Sequence, residues 1–281
     1  MFYPADDWTL LRLAILKRYL CACTSAWKDR SLTTAYIDVF SGANYCADDV
    51  GDSSLLAGFP NLAHQPPKAL LTHSARAALT ADPPFDGYMF IERNQHRCHV
   101  LEALRHEFPQ RNIQIRRFDA NRELRRISHL NWRERRAVLF VDAYAANLDW
   151  KTTCDISRTN AVDVWLLFPV GIGAYQPPTK AVPVPPYWRD RLKPLLQTDE
   201  RLNSLEASQL PLNELLRMLA RHMTDRLRDT FANVSSARVM RSSSGAPLYL
   251  LCFASSLAGS EGRIAVELAH HMLDSPAVHT V

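Results

Sequence analysis

The chain has 281 residues, 47% hydrophobic and 22% charged, with a formal net charge of +4. This is ordinary globular composition, sized for one large domain or a domain carrying an insertion. No apolar run is long enough to span a membrane, the first residues lack the pattern of a signal peptide, and the small net charge leaves nucleic-acid binding to local clusters.

Trp8 to Trp27 is predicted helical, because Leu11, Ile15, Tyr19 and Ala22 recur at helical spacing and Asp6 or Asp7 can cap it. Tyr36–Asn44 (YIDVFSGAN) is the opening strand and turn: Ile37, Val39 and Phe40 favour a strand, and Gly42 permits a tight turn with close approach of backbone to a ligand. Cys46–Gln65 reads as a loop and Pro67–Leu79 as a helix. Strand Tyr88–Glu92 (YMFIE) and helix Gln95–Phe108 come next, then strand Ile113–Arg117 and helix Asn121–His129. Ala137–Asp142 (AVLFVD) is a continuous apolar run ending in an acid, as suits a central parallel strand buried on both faces. Helix Thr152–Asn160 and strand Val162–Phe168 follow, leading into PVGIG.

Five prolines between Pro177 and Pro186 then break the alternation, and residues 174–235, including the amphipathic run Leu212–Phe231, read as a helical insertion or lid within a single domain. Ala237–Met240 and Pro247–Ala254 are predicted to form a hairpin around Arg241–Gly245, and Ile264–Leu273 a closing helix. The six cysteines are scattered, with no CxxC and no paired histidine spacing, which reads as reduced thiols in a cytoplasmic protein without a metal site. His270 and His271 read as surface or capping residues.

Alternating strands and helices predict a parallel sheet with helices on both faces, to which the late hairpin adds an antiparallel strand. Ligands of such sheets bind outside the carboxyl ends of the strands. Four acids fall there: Asp38, Glu92, Asp119 and Asp142. Each alone is explained as a helix N-cap; four at consecutive strand ends favour a shared site.

The run of motifs YIDVFSGAN, YMFIERN, RRFDANREL, WRERRAVLFVDAYAANLDW, AVDVWLLFPVGIG and GAPLYLLCFAS resembles the three-Cys-motif partner protein (TcmP) family nearly end to end. That family looks like class I S-adenosylmethionine-dependent methyltransferases and is named for a companion protein similar to radical S-adenosylmethionine enzymes. The resemblance implies a Rossmann-like, mostly parallel sheet of seven strands with a C-terminal antiparallel hairpin, flanked by helices, and S-adenosylmethionine as cofactor. It implies cofactor contacts from Asp38, Phe40, Ser41, Gly42 and Asn44 in the first loop, from Glu92 and Arg93, and from Asp119 and Ala120. Asp142 matches the acid of the family's DPFG motif and, with Tyr144, is the expected catalytic pair; Pro169, Gly171 and Gly173 are expected on the substrate side. Two motifs depart from the family. Asn44 stands at the second glycine of the first loop, and DPFG reads Asp142-Ala143-Tyr144-Ala145. The letters DPPF at Asp82–Phe85 look like a motif of amino-group methyltransferases but precede a strand rather than ending one, and are discounted.

Arg111–Arg136 holds nine arginines against Asp119, Glu123 and Glu134, a local excess suited to phosphates; the ordinary alternative is a solvated, salt-bridged helix face. The resulting expectation is a methyltransferase acting on a nucleic acid or nucleotide-type substrate, together with a three-Cys-motif partner protein. The alternatives are a catalytically degenerate fold serving as a non-enzymatic partner, and a nucleic-acid-binding module working without cofactor.

Overall fold

The computed structural model describes residues 7–39, 73–141, 148–170, 210–241 and 245–273. Its strands are β1 (Thr33–Val39), β2 (Gly87–Glu92), β3 (Ile113–Arg117), β4 (Arg135–Val141), β5 (Val162–Pro169), β6 (Asn233–Val234), β7 (Arg238–Arg241) and β8 (Pro247–Ser255). The helices are α1 (Asp7–Trp27), α2 (His73–Leu79), α3 (Gln95–Glu107), α4 (Ala120–Ser128), α5 (Trp150–Ser157), α6 (Leu212–Arg228) and α7 (Gly259–Leu273). All strands join one sheet of order β3-β2-β1-β4-β5-β8-β6, with β7 also on β8. β1 to β5 are mutually parallel, whereas β8 runs antiparallel to β5 and to both β6 and β7.

The expected mostly parallel sheet with a C-terminal antiparallel hairpin is therefore present. It has eight strands rather than seven because the outer strand is interrupted: Asn233–Val234 pairs with Ser255 and Ala254, and Arg238–Arg241 pairs further along β8. A two-residue strand carries no alternation for a sequence pattern to show. β4 sits between β1 and β5 with Ala137 to Val141 all buried, as its apolar run requires.

Side chains alternate across the sheet and meet two helical layers. On one face Tyr36, Tyr88, Phe90, Val138, Phe140 and Trp165 pack with α1, α2, α3 and α7. On the other, Ile37, Val39, Ile91, Leu139 and Val164 pack with α4, α5 and α6. The α6 stripe of Leu212, Leu215, Leu216, Leu219, Met223 and Leu227 recurs at helical spacing, and each buried side chain contributes about 1.5–3 kcal/mol. This end of the expected 174–235 insertion thus packs on the sheet; residues 171–209 lie outside the described residues. Helix α7 begins at Gly259, five residues ahead of the predicted Ile264. Only Gly259 takes positive φ (67°) at the helix start, while Gly262 is ordinary helix pressed against Leu257 and Asn233. No helix among the described residues is long and apolar enough to cross a membrane.

One acid is buried inside the first layer. Asp163, near the amino end of β5, is 1% exposed and accepts a hydrogen bond from the Tyr19 hydroxyl at 2.6 Å. Burial pushes its carboxyl up from 3.8 to about 6, with Ser255, Tyr19 and Arg136 offsetting part of the effect. The unfolded chain releases this proton near 3.8 and the folded protein only near 6, so between those values the folded state binds more protons. Its contribution to stability therefore falls as pH rises through that window, by on the order of 3 kcal/mol. Asp163→Asn keeps an acceptor for Tyr19 and removes the titration. Chemical denaturation across this window is expected to show a stability advantage of the variant over wild type that grows with pH; a constant difference would contradict the assignment.

Candidate functional site

The strand order reverses between β1 and β4. The chain leaves β1 for α2 on one face and leaves β4 for α5 on the other, while Val39 and Val141 stand level in register. A crevice outside the carboxyl ends follows from that divergence. The segments that leave these two strands, 40–72 and 142–147, lie outside the described residues. So do the expected Phe40, Ser41, Gly42, Asn44, Asp142 and Tyr144, as well as Gly171 and Gly173.

The described site residues lie at the same edge. Asp38 is the penultimate residue of β1 and is fully buried. It pairs in register with Phe90 and Phe140, so it lies on the α1–α3 face. Tyr36, two residues earlier, shares that face by the period of the strand, and its hydroxyl donates to Asp38 Oδ2 at 3.0 Å. Glu92 ends β2 on the same face, two residues beyond Phe90, and is 5% exposed. Its Oε1 accepts from the Asn94 backbone N–H at 2.7 Å, a charge-assisted bond, while Asn94 caps α3 by accepting from the Arg97 N–H at 3.1 Å. One short turn thus fixes both the carboxylate and the start of the helix.

Asp119 and Ala120 occupy the turn after β3. Asp119 is exposed and is the N-cap of α4, its Oδ1 accepting from the Arg122 N–H at 2.9 Å. Ala120 is buried in the opposite layer with Ile37 and Ile91. Pro169 closes β5 opposite Tyr249, and Arg93 is exposed immediately after Glu92. Asp38 and Glu92 therefore come together on one face, whereas Asp119 makes a helix cap beside them. Sequence reasoning passed over two neighbours. Tyr36 was signalled by its spacing from Asp38. Arg117 stands opposite Glu92, and only the register reveals that pairing.

The nine-arginine run does not form one patch. Arg111, Arg133, Arg135 and Arg136 lie at the amino ends of β3 and β4, while Arg116, Arg117 and Arg122 lie at the carboxyl end of β3. On α4, Arg126 grips Glu123 through two bonds of 2.9 and 2.7 Å, and this contact holds the half-enclosed carboxyl below its usual range. Arg116 approaches the same carboxylate at 3.8 Å, Arg125 reaches Asp149 at 4.0 Å, and Arg136 reaches Glu261 at 3.1 Å. At the amino edge a cavity of about 230 Å³ opens beside Thr34, Met89 and Trp132. The Asp86 carboxylate on its wall is bonded to the Thr34 amide and hydroxyl at 2.7 and 2.9 Å.

Five parallel strands in the order 3-2-1-4-5, closed by an antiparallel strand and an outer return, make the sheet of class I methyltransferases. The fold is methyltransferase-like. No family model and no curated protein matches the chain. Among solved structures, a Legionella pneumophila protein of the family model DUF519 is similar over 96% of this chain and 94% of its own, at 12% identity and a TM-score of 0.48. A putative O-methyltransferase from Klebsiella pneumoniae covers 90% and 92% at 11% identity and TM-score 0.40. A SAM-dependent methyltransferase from Aquifex aeolicus covers 85% and 92% at 10% identity and TM-score 0.36. At these values nothing about activity passes from them to this chain, and the fold rests on its own strand order.

The Tyr36 hydroxyl supports a fully buried carboxylate, so Tyr36→Phe is expected to lower the unfolding free energy by about 1–3 kcal/mol. Urea titration checks this, and a loss under about 0.5 kcal/mol would show that Asp38 does not depend on Tyr36.

Proposed function

We propose that the protein is an S-adenosylmethionine-dependent methyltransferase whose cofactor lies across the carboxyl ends of β1 and β2. The observation that carries this reading is the pair of carboxylates, Asp38 and Glu92, on one face of the sheet beside the reversal of strand order. The chemistry of that pair fits the cofactor: a ribose diol needs an anionic acceptor, and a cationic sulfonium and ammonium favour nearby negative charge. When bound, S-adenosylmethionine supplies an electrophilic methyl group together with its own leaving group. The chain's part is to hold and orient.

Glu92, fixed by Asn94, accepts from the ribose hydroxyls. Asp38 lies too deep to touch a ligand and acts by keeping the floor of the crevice negative. Asp119 and Ala120 border the adenine side, with Asp119 also serving as the cap of α4. Asp142 and Tyr144, placed by their motif after β4, are assigned to the acceptor: the carboxylate takes a hydrogen bond from its nucleophile and the ring stacks on a planar group. Pro169, Gly171 and Gly173 border that side, and the proline-rich part of the 174–235 insertion is assigned to cover it. The order of motifs supports membership of the TcmP family, with a three-Cys-motif protein as partner and a nucleic acid as acceptor.

Calorimetric titration with S-adenosylmethionine tests the cofactor reading. Micromolar binding is expected, weakened about 10- to 100-fold in both Glu92→Ala and Glu92→Gln, since hydrogen bonds to a charged acceptor contribute about 1.5–3 kcal/mol each. Absence of binding at millimolar cofactor, or full affinity in both variants, would reject it.

A further inference from the structure

At the carboxyl edge, beside Glu92, stands an exposed aromatic side chain. Phe118 is 42% exposed although it follows directly on β3. Its backbone N–H is bonded to the Glu92 carbonyl at 3.2 Å, so its position is fixed by the sheet rather than by a loose loop. The Arg122 guanidinium lies 5.3 Å from the ring centre, a cation–π contact that leaves the cation exposed. Arg93 and Arg117, one at the end of β2 and the other at the end of β3, are exposed and make no ion pair among the described residues. Arg116 is drawn to Glu123 and Asp119 is engaged in its cap, so the cluster keeps a net positive face.

An exposed ring with exposed guanidinium groups nearby is the chemistry of a single-stranded nucleic-acid track: bases stack on the ring and phosphates meet the cations, with little dependence on sequence. A duplex hides its base faces and offers the ring nothing to stack on. We infer that a single-stranded nucleic acid lies across the carboxyl ends of β2 and β3, stacking on Phe118 and held by Arg93, Arg117 and Arg122. The inference rests on the proposed nucleic-acid acceptor and gives it a second contact surface beside β2 and β3, apart from the β4–β5 side assigned to its nucleophile, yet the surface works without cofactor. It also divides the arginine run, since Arg133 and Arg135 on the opposite edge take no part.

Fluorescence anisotropy with labelled single-stranded DNA and RNA of about 12 nucleotides, at about 50 mM salt and without S-adenosylmethionine, tests it. At least one of the two is expected to bind, with affinity falling steeply as salt rises; comparing them shows whether the sugar is read. Phe118→Ala is expected to weaken binding about fivefold or more, and Arg93→Glu with Arg117→Glu about tenfold or more. Arg133→Glu with Arg135→Glu, which carries the same charge change at the amino edge, is expected to stay within about threefold of wild type. All five altered positions are exposed, and circular dichroism confirms that each variant is folded. No binding of either strand, equal losses at the two edges, or a duplex bound as tightly as the single strand would overturn the inference. Because no cofactor is present, such a failure is separate from failure of the S-adenosylmethionine titration.

Discussion

β1 and β4 lie side by side and end level, yet the chain leaves them toward opposite faces of the sheet. The cause is the right-handedness of parallel crossovers: winding from β1 through β2 to β3 puts α2 and α3 on one face, and the return through β4 to β5 puts α4 and α5 on the other. Every other feature of the site depends on this reversal. It opens a crevice at the carboxyl edge, and it leaves the amino edge to tight turns such as the one in which Asp86 binds Thr34. The antiparallel β8 then closes the sheet without disturbing that edge, because it adds beyond β5.

Among the described residues four carboxylates are buried, and they are held in different ways. Glu123 is neutralised by Arg126 on its own helix, and Asp163 is shielded by Tyr19 and raised toward neutrality by burial. Asp163 sits near the amino end of β5, whereas Glu123 lies in the first turn of α4, just past the carboxyl end of β3. Asp38 and Glu92 are held differently, by a neutral hydroxyl and by a backbone N–H. Both contacts fix a carboxylate near the end of its strand, and enclosing these polar groups costs stability that the apolar layers supply.

The strands and helices were legible because their periods are strong. The continuous apolar run at Ala137–Val141 marked the centre of the sheet, and the amphipathic stripe of α6 marked a packed helix. Element ends were less legible. Asn160 was read as helical, but the helix ends at Ser157, and Asn160 has positive φ (52°) with its side chain accepting from the Ala258 N–H at 2.8 Å. Of the site, the strand-end rule placed Asp38 and Glu92 correctly at one edge, since it depends only on where strands stop. The arginine run misled because proximity along a chain is not proximity in space: five residues of extended β3 separate Arg111 from Arg117 by about 20 Å and carry them to opposite edges of the sheet. The exposed Phe118 and the pairing of Arg117 with Glu92 needed the register between strands, which no single sequence prints.

We propose that the carboxyl ends of β1 and β2 hold an S-adenosyl group, and a crystal structure of the protein grown with S-adenosylhomocysteine tests this. The ribose hydroxyls are predicted within hydrogen-bonding distance of the Glu92 carboxylate, with the amino-acid portion running toward the end of β1. A ligand seated instead in the amino-edge cavity beside Thr34 and Trp132, or no bound ligand at saturating concentration, would contradict the account.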